Sequence, residues 1–574
     1  MKLRAAIFGA TLLGIAGLFL SAREPRVTPE SLAALSPAAP RAESSRSALH
    51  GLVGVNTCSG GGCHGDPSRD PKWVDVDEMW RGSYLAWVEN DPHGAAWTVL
   101  LEERSQLIVN NLADMQRGPA EQRLTPEMPE YRAWLFRACA NCHTTASDAK
   151  AEPAQVAAGV ACESCHGKAL GWVDTHYMAG QTRKQMTEVW KLDVRANVCV
   201  QCHVGPAPGA DPSAPAQEVN HALIAAGHPR LNFELKAYHD AYPSHWNTAR
   251  DRKFEYKQKP VSAGTAAGAA ATTSGSTSGA GSVGPDRPRV NFSAELWLAG
   301  QRAVARQSLT QLAWRGERAE ASWKNPATDA PAGPHVAPDW PEFAEYDCFA
   351  CHHRLEPSNF RRQGALIGLT KGVAGKEADG YRPGALRWGE WTLPHLREVA
   401  VDPATVDEQL TALRTNLLRP VPNTSSVAGA ARALALAVAG EGGVASGPGE
   451  AGVLLDRVVR TVADPKRAQW RNWDQAAQWY LAAMSACDAI EESDASSETA
   501  EWLTGQRDKL RELAGRLEFR VLSDATTYQW DGPNVEKDFD PSGEELRKLR
   551  NGIRSAFSKR PEWKSKPTGD DGNE

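Results

Sequence analysis

The chain has 574 residues, room for two or three domains, with 64 Lys plus Arg against 70 Asp plus Glu and a formal net charge of −6. A mildly acidic chain lacks the basic footprint of a nucleic-acid binder, so no nucleic-acid partner is expected. At 41% hydrophobic and 23% charged residues, the composition suits a soluble globular protein and excludes a polytopic membrane protein.

In chain order, Met1-Lys2-Leu3-Arg4, the uncharged apolar run Ala5–Leu20 and Ser21-Ala22-Arg23 predict a signal peptide or N-terminal anchor over 1–22. The rest of the chain is therefore expected in the periplasm or otherwise exported. Membrane contact is expected only if that segment stays uncleaved. Residues 23–48, rich in Pro, Ala and Ser, read as a disordered linker. A cysteine-rich domain over 49–256 follows, then a Gly/Ala/Ser/Thr low-complexity linker at 257–288 and a continuation at 289–400. Periodicity predicts helices over Thr98–Met115 and over Ala294–Arg315, the latter with Ser293 as N-cap. A helical C-terminal domain is expected at 401–558, with Trp473, Ala476, Ala477, Tyr480, Leu481, Met484 and Cys487 on one helical face. Residues Trp502, Leu503, Leu510, Leu513 and Leu517 suggest a further helix, before a disordered tail at 559–574. Strand signals are sparse. The fold class is mainly α with much irregular coil: a domain wrapped around covalent groups, plus a C-terminal α-helical bundle.

Ten of the 11 cysteines form five pairs, each followed at once by histidine. Four are regular: Cys139-Ala-Asn-Cys142-His143, Cys162-Glu-Ser-Cys165-His166, Cys199-Val-Gln-Cys202-His203 and Cys348-Phe-Ala-Cys351-His352. The first is longer, Cys58-Ser-Gly-Gly-Gly-Cys63-His64, and its glycines can loop out the extra residues. Cys-x-x-Cys-His is the attachment sequence of haem c: two thiols form thioethers with the porphyrin, and the histidine ligates the iron from below. Zinc, thiol redox chemistry or disulfides also use paired cysteines, but none requires histidine after every pair. With 15 histidines in the chain, chance gives five such placements about once in a hundred million. Five covalent haems c are expected, with proximal ligands His64, His143, His166, His203 and His352. For Cys58 and Cys63 the alternative is a disulfide or unmodified thiols. Cys487 has no partner and reads as core packing.

Ten histidines remain for the far side of the irons. His93, in Asp91-Pro92-His93-Gly94, and His176, ten residues after His166, are the foremost distal candidates. His228 and His221, flanking an apolar run, and His245, in Tyr242-Pro-Ser-His245-Trp, follow. For each of these the alternative is a hydrogen-bonded structural histidine. His353 adjoins a proximal ligand and could serve a neighbouring haem. His50, His239, His335 and His395 read as surface or structural.

The order of the motifs, the run Gly159-Val-Ala-Cys162-Glu-Ser-Cys165-His166-Gly167, and the Trp…Asp-x-His-x-x-Ala segment around His93 resemble the multihaem c-type cytochromes of the cytochrome c-554 family over roughly residues 50–230. The resemblance implies His176 as distal ligand for the Cys58/Cys63 haem, His93 for the Cys199/Cys202 haem, and His221 or His228 for the Cys162/Cys165 haem. It also implies that the Cys139/Cys142 haem, with His143, is the candidate open site. The chain departs from the family in its lengthened first motif, its fifth motif and its C-terminal extension. The implied function is single-electron transfer between redox partner proteins through five haems. The alternative is an enzyme acting on a small nitrogen or sulfur compound at one open haem; the Cys-x-x-Cys-Lys motif of pentahaem nitrite reductases does not occur.

Overall fold

The computed structural model describes residues 51–66, 80–119, 122–178, 185–205, 218–243, 245, 292–324, 340–346, 386, 388–389, 391–439, 473–493 and 497–514. The fifth motif (Cys348, Cys351, His352), His353, His50, His335, both linkers, the N-terminal segment and the tail lie outside the described residues. The described chain is mainly helical, as its fold class led one to expect. Its one β pairing among the described residues is the isolated antiparallel bridge Tyr346–Trp388. No described helix is long and apolar enough to cross a membrane.

In the first half, short helices deliver the motifs. They are α1 (Val55–Cys58), α2 (Ser83–Asn90), α3 (Glu103–Arg117), α4 (Pro129–Ala138), α5 (Ala140–His143), α6 (Pro153–Ala157), α7 (Cys162–His166), α8 (Leu192–His203), α9 (His221–Ala226) and α10 (Leu235–Ala241). Helices α5, α7 and α8 all end on the histidine of a motif. Residues i, i+3 and i+4 share one face of a helix, so a single turn aims both cysteines and the histidine the same way. A core of Trp97, Leu100, Val109, Tyr131, Trp134 and Leu135 supports this layer. The expected helix Thr98–Met115 is split: a 3-10 turn, Thr98–Leu101, precedes α3, and Glu102 between them is extended (φ −80°, ψ 161°). Side chains satisfy the carbonyls that the break frees: Ser105 Oγ donates to Val99 O (2.6 Å), Gln106 Nε2 to Leu101 O (3.0 Å) and Tyr131 Oη to Leu100 O (2.6 Å).

Helix α11 (Phe292–Lys324) is a central post, buried along most of its length. One side packs Phe292, Leu296 and Ala299 against Leu192, Val200, Phe233 and Leu235 of the motif-bearing half. The other packs Leu309, Leu312 and Ala313 against Val406, Leu413, Val427, Ala431 and Leu434. Those residues belong to α13 (Pro403–Leu417) and α14 (Thr424–Ala439), which follow the short α12 (Leu396–Val399). The post outruns its expected end at Arg315. Gly316 does not stop it but lets α14 approach, since a Cβ there would lie 3.0 Å from Thr424 O. Ser293 is buried inside the first turn rather than capping it.

Helices α15 (Trp473–Ser493) and α16 (Ser497–Ala514) complete the bundle. Cys487 is buried on α15, with Ala477, Ala483 and Ala486. Ion pairs Arg230–Asp474 (2.9 Å) and Lys236–Asp488 (2.9 Å) fasten α15 to the segment that carries His228, Tyr242 and His245.

Candidate haem-ligand sites

The regular motifs close one helical turn: His143 N donates to Cys139 O at 3.2 Å. The lengthened motif reaches the same closure, with His64 N donating to Cys58 O at 3.2 Å while Cys63 N and Gly65 N both return to Gly60 O. The extra residues are therefore folded out as a tight turn, and His64 stands to Cys58 as His143 stands to Cys139.

Three motif histidines face a second histidine across a gap. His64 and His176 have ring centres 6.2 Å apart, His203 and His93 6.0 Å, and His166 and His245 6.3 Å. Two imidazoles that ligate one metal from opposite sides, at about 2.0 Å each, place their ring centres about 6.4 Å apart. The gaps thus fit an iron between each pair. The resemblance pointed to His221 or His228 for the third motif, whereas the ring opposite His166 is that of His245. His228 instead lies within electrostatic reach of His143; among the described residues no ring-to-ring contact joins these two. His221 sits at the start of α9, its N–H bound to Glu342 Oε1 (2.9 Å) and its ring against Phe343 (5.7 Å), away from these pairs.

The outer nitrogens of five of these histidines are tied down. Nδ1 of His64 bonds to Trp80 O (2.9 Å), that of His143 to Ala96 O (2.8 Å), that of His176 to Val173 O (2.9 Å) and that of His228 to Pro229 O (2.8 Å). His93 Nδ1 donates to Asp91 Oδ1 at 2.9 Å. A protonated Nδ1 leaves Nε2 as the lone-pair nitrogen, which is how a ligating histidine is oriented. Burial also keeps the rings neutral: it pulls His203, His228 and His245 each down to about 4, and lowers His143 despite its bond to Ala96. Burial opposes the charge of Asp91, but the hydrogen bonds from His93 and from the hydroxyl of Tyr242 help hold that carboxyl below its usual range.

Cysteines of different motifs are neighbours in space. Cys58 shares a hydrogen bond with Cys162, and Cys142 with Cys202, which pushes Cys58 and Cys142 up. Burial pushes Cys165 up to about 12, and Cys199 and Cys202 add to it. In space the motifs therefore run first, third, fourth, second. Among the described residues no three Cys, His, Asp or Glu groups converge to hold a bare metal ion, so the donors are disposed across gaps rather than as a zinc cage.

Residues 91–167 match the family model described as cytochrome c554 and c-prime. Over that stretch the chain is similar to the cytochrome c554 family, and the match supports membership of it. No curated protein and no solved structure matches it. It is a c-type cytochrome, carries covalently bound haem c and works in electron transfer or redox chemistry. The matched stretch of this cytochrome holds the second and third motifs against His93. Gly159, at φ +65°, passes so near that a Cβ would lie 2.7 Å from His93 O, and Val160 N donates to that same oxygen at 3.0 Å.

Two carboxylates escaped sequence reasoning. Asp91 caps the 3-10 turn Pro92–Ala95, an acidic residue before proline, but its pairing with His93 was not legible. Glu163, inside the third motif, accepts from Val53 N (3.0 Å), Gly54 N (2.9 Å) and Ala169 N (2.8 Å), and so clamps the approach to the first motif; no local pattern announces it. His239 meets Arg195 (3.1 Å), and His395 lies buried between Trp297 and Trp479 with Nε2 on Gln478 O (3.2 Å), both as structural histidines.

Proposed function

We propose that this cytochrome is an exported, periplasmic carrier that passes single electrons between redox partner proteins through five covalent haems. Bound haem supplies reversible one-electron chemistry at iron. The observation that carries the reading is the set of three opposed histidine pairs, 6.0–6.3 Å apart. His64 with His176, His166 with His245, and His203 with His93 would each hold one haem iron and keep small molecules from it. The cross-motif thiol neighbours would string these positions into one path, with the His143 position at its end. Each electron taken from a donor protein at one end leaves to an acceptor protein at the other, so the chain returns to its starting state.

The test is stopped-flow reduction of the exported protein by a one-electron donor, followed by an oxidised carrier protein. A relay gives full reduction, full reoxidation by that carrier, and no turnover with nitrite, hydroxylamine or sulfite. Turnover of such a compound without a carrier protein would overturn it. A second reading, a small nitrogen or sulfur compound reacting at the His143 position, is favoured by one observation: His228 is within electrostatic reach of His143 without the ring contact that joins the other pairs.

A further inference from the structure

Five of the histidines described above have a defined Nδ1 partner. Four rest on neutral acceptors: His64, His143, His176 and His228 bond to backbone carbonyl oxygens, and His64 also meets Ser83 Oγ (3.0 Å). Only His93 among these five rests on a carboxylate. The side chain of Asp91 is 1% exposed, and its Oδ1 accepts from both N (3.0 Å) and Nδ1 (2.9 Å) of His93. Its Oδ2 accepts from the hydroxyl of Tyr242. The Tyr242 ring stands 5.7 Å from His93 and 6.4 Å from His245, between the ligand candidates of the fourth and third motifs.

A carboxylate on Nδ1–H pushes electron density toward Nε2 and makes the imidazole a stronger donor. A buried negative charge also favours ferric over ferrous iron, because little solvent screens it. A hydroxyl that donates to the same carboxylate draws that density back. We propose that Asp91 is a positioning residue that lowers the potential of the haem on Cys199/Cys202, and that Tyr242 moderates it. This rests on the relay reading, in which His93 and His203 share one iron.

The test is a spectroelectrochemical titration of the full exported protein, with electron paramagnetic resonance to assign spin states and intact mass to count haems. Asp91→Asn should weaken the ferric preference at Cys199/Cys202 about tenfold, a rise of about 59 mV for one electron. Asp91→Glu should restore most of it. Tyr242→Phe, which leaves the carboxylate undiluted, should move the same haem the other way by about twofold. A merely structural role would not give shifts of opposite sign. Loaded, low-spin variants with unmoved potentials, or with both potentials moving one way, would overturn the inference alone. If Asp91→Asn fails to load haem, Tyr242→Phe decides, and the absence of its downward shift overturns the inference. A parent protein with no low-spin haem at Cys199/Cys202 would remove the relay reading, and this inference with it.

Discussion

Glu163 offers a perturbation whose size can be worked out from its bonds. Its oxygens accept from three backbone N–H groups at 2.8–3.0 Å, and the residue is 7% exposed. Glu163→Gln preserves size but turns one acceptor oxygen into a donor. At least one N–H then faces another donor, and the remaining bonds lose their charge assistance. A charge-assisted bond contributes about 1.5–3 kcal/mol and a neutral one about 0.5–1.5 kcal/mol. Downgrading two bonds and losing one therefore costs about 4–5 kcal/mol, or more than about a thousandfold in the local opening constant. The loss is local, because Leu170 N still reaches Gly51 O at 3.1 Å. Hydrogen exchange read on peptides covering 51–58 and 167–171 measures it. Those peptides should exchange about a thousandfold faster, while the core around Leu135 keeps its protection. Unchanged exchange at Val53, Gly54 and Ala169 would refute the clamp, and so would a uniform rise across the whole chain.

Other outcomes follow from single contacts. Gly159→Ala forces a Cβ to within 2.7 Å of His93 O at φ +65°, and should cost about 3 kcal/mol and lower the low-spin haem fraction, read by thermal melting and by resonance spectra. His395, pulled down to about 4 by burial, binds a proton in the unfolded chain before it does in the folded one. Its contribution is therefore intact above about pH 6.5 and lost as pH falls toward about 4, a span of about 3 kcal/mol. Melting between pH 7 and pH 5 should show a shallower loss for His395→Leu than for the parent, and equal slopes would contradict this. Asp488→Asn leaves the buried Lys236 with Asp240 alone and should cost about 1–2 kcal/mol, read as faster proteolysis of the 228–245 segment. A chain ended at residue 400 strips α13 and α14 from Leu309 and Leu312 and should fail to accumulate in soluble form; soluble, folded protein from it would show that α11 stands without them.

What could be read beforehand was local. One turn of helix dictates where the cysteines and histidine of a regular motif point, and glycines between Cys58 and Cys63 allow the longer motif to close in the same way. Partners distant in sequence were harder. His245 lies 79 residues beyond His166 with another motif between them, and no periodicity links the two. The resemblance named His221 or His228 there, but α9 turns His221 toward Phe343 and the Nδ1 bond to Pro229 holds His228 beside the second motif. The helix expected to end at Arg315 runs on through Gly316, which serves close packing against α14. The role of Asp91 was not legible, because only tertiary contact brings Tyr242 to its second oxygen.

The most direct measurement is quantitative electron paramagnetic resonance on the exported protein and on His176→Ala, His93→Ala and His245→Ala, with haems counted by intact mass. If the three opposed pairs are axial pairs, each substitution converts one haem equivalent from low to high spin while the count stays at five. A substitution that leaves the low-spin fraction unchanged would contradict the pairing, and with it the path from the first motif through the third to the fourth.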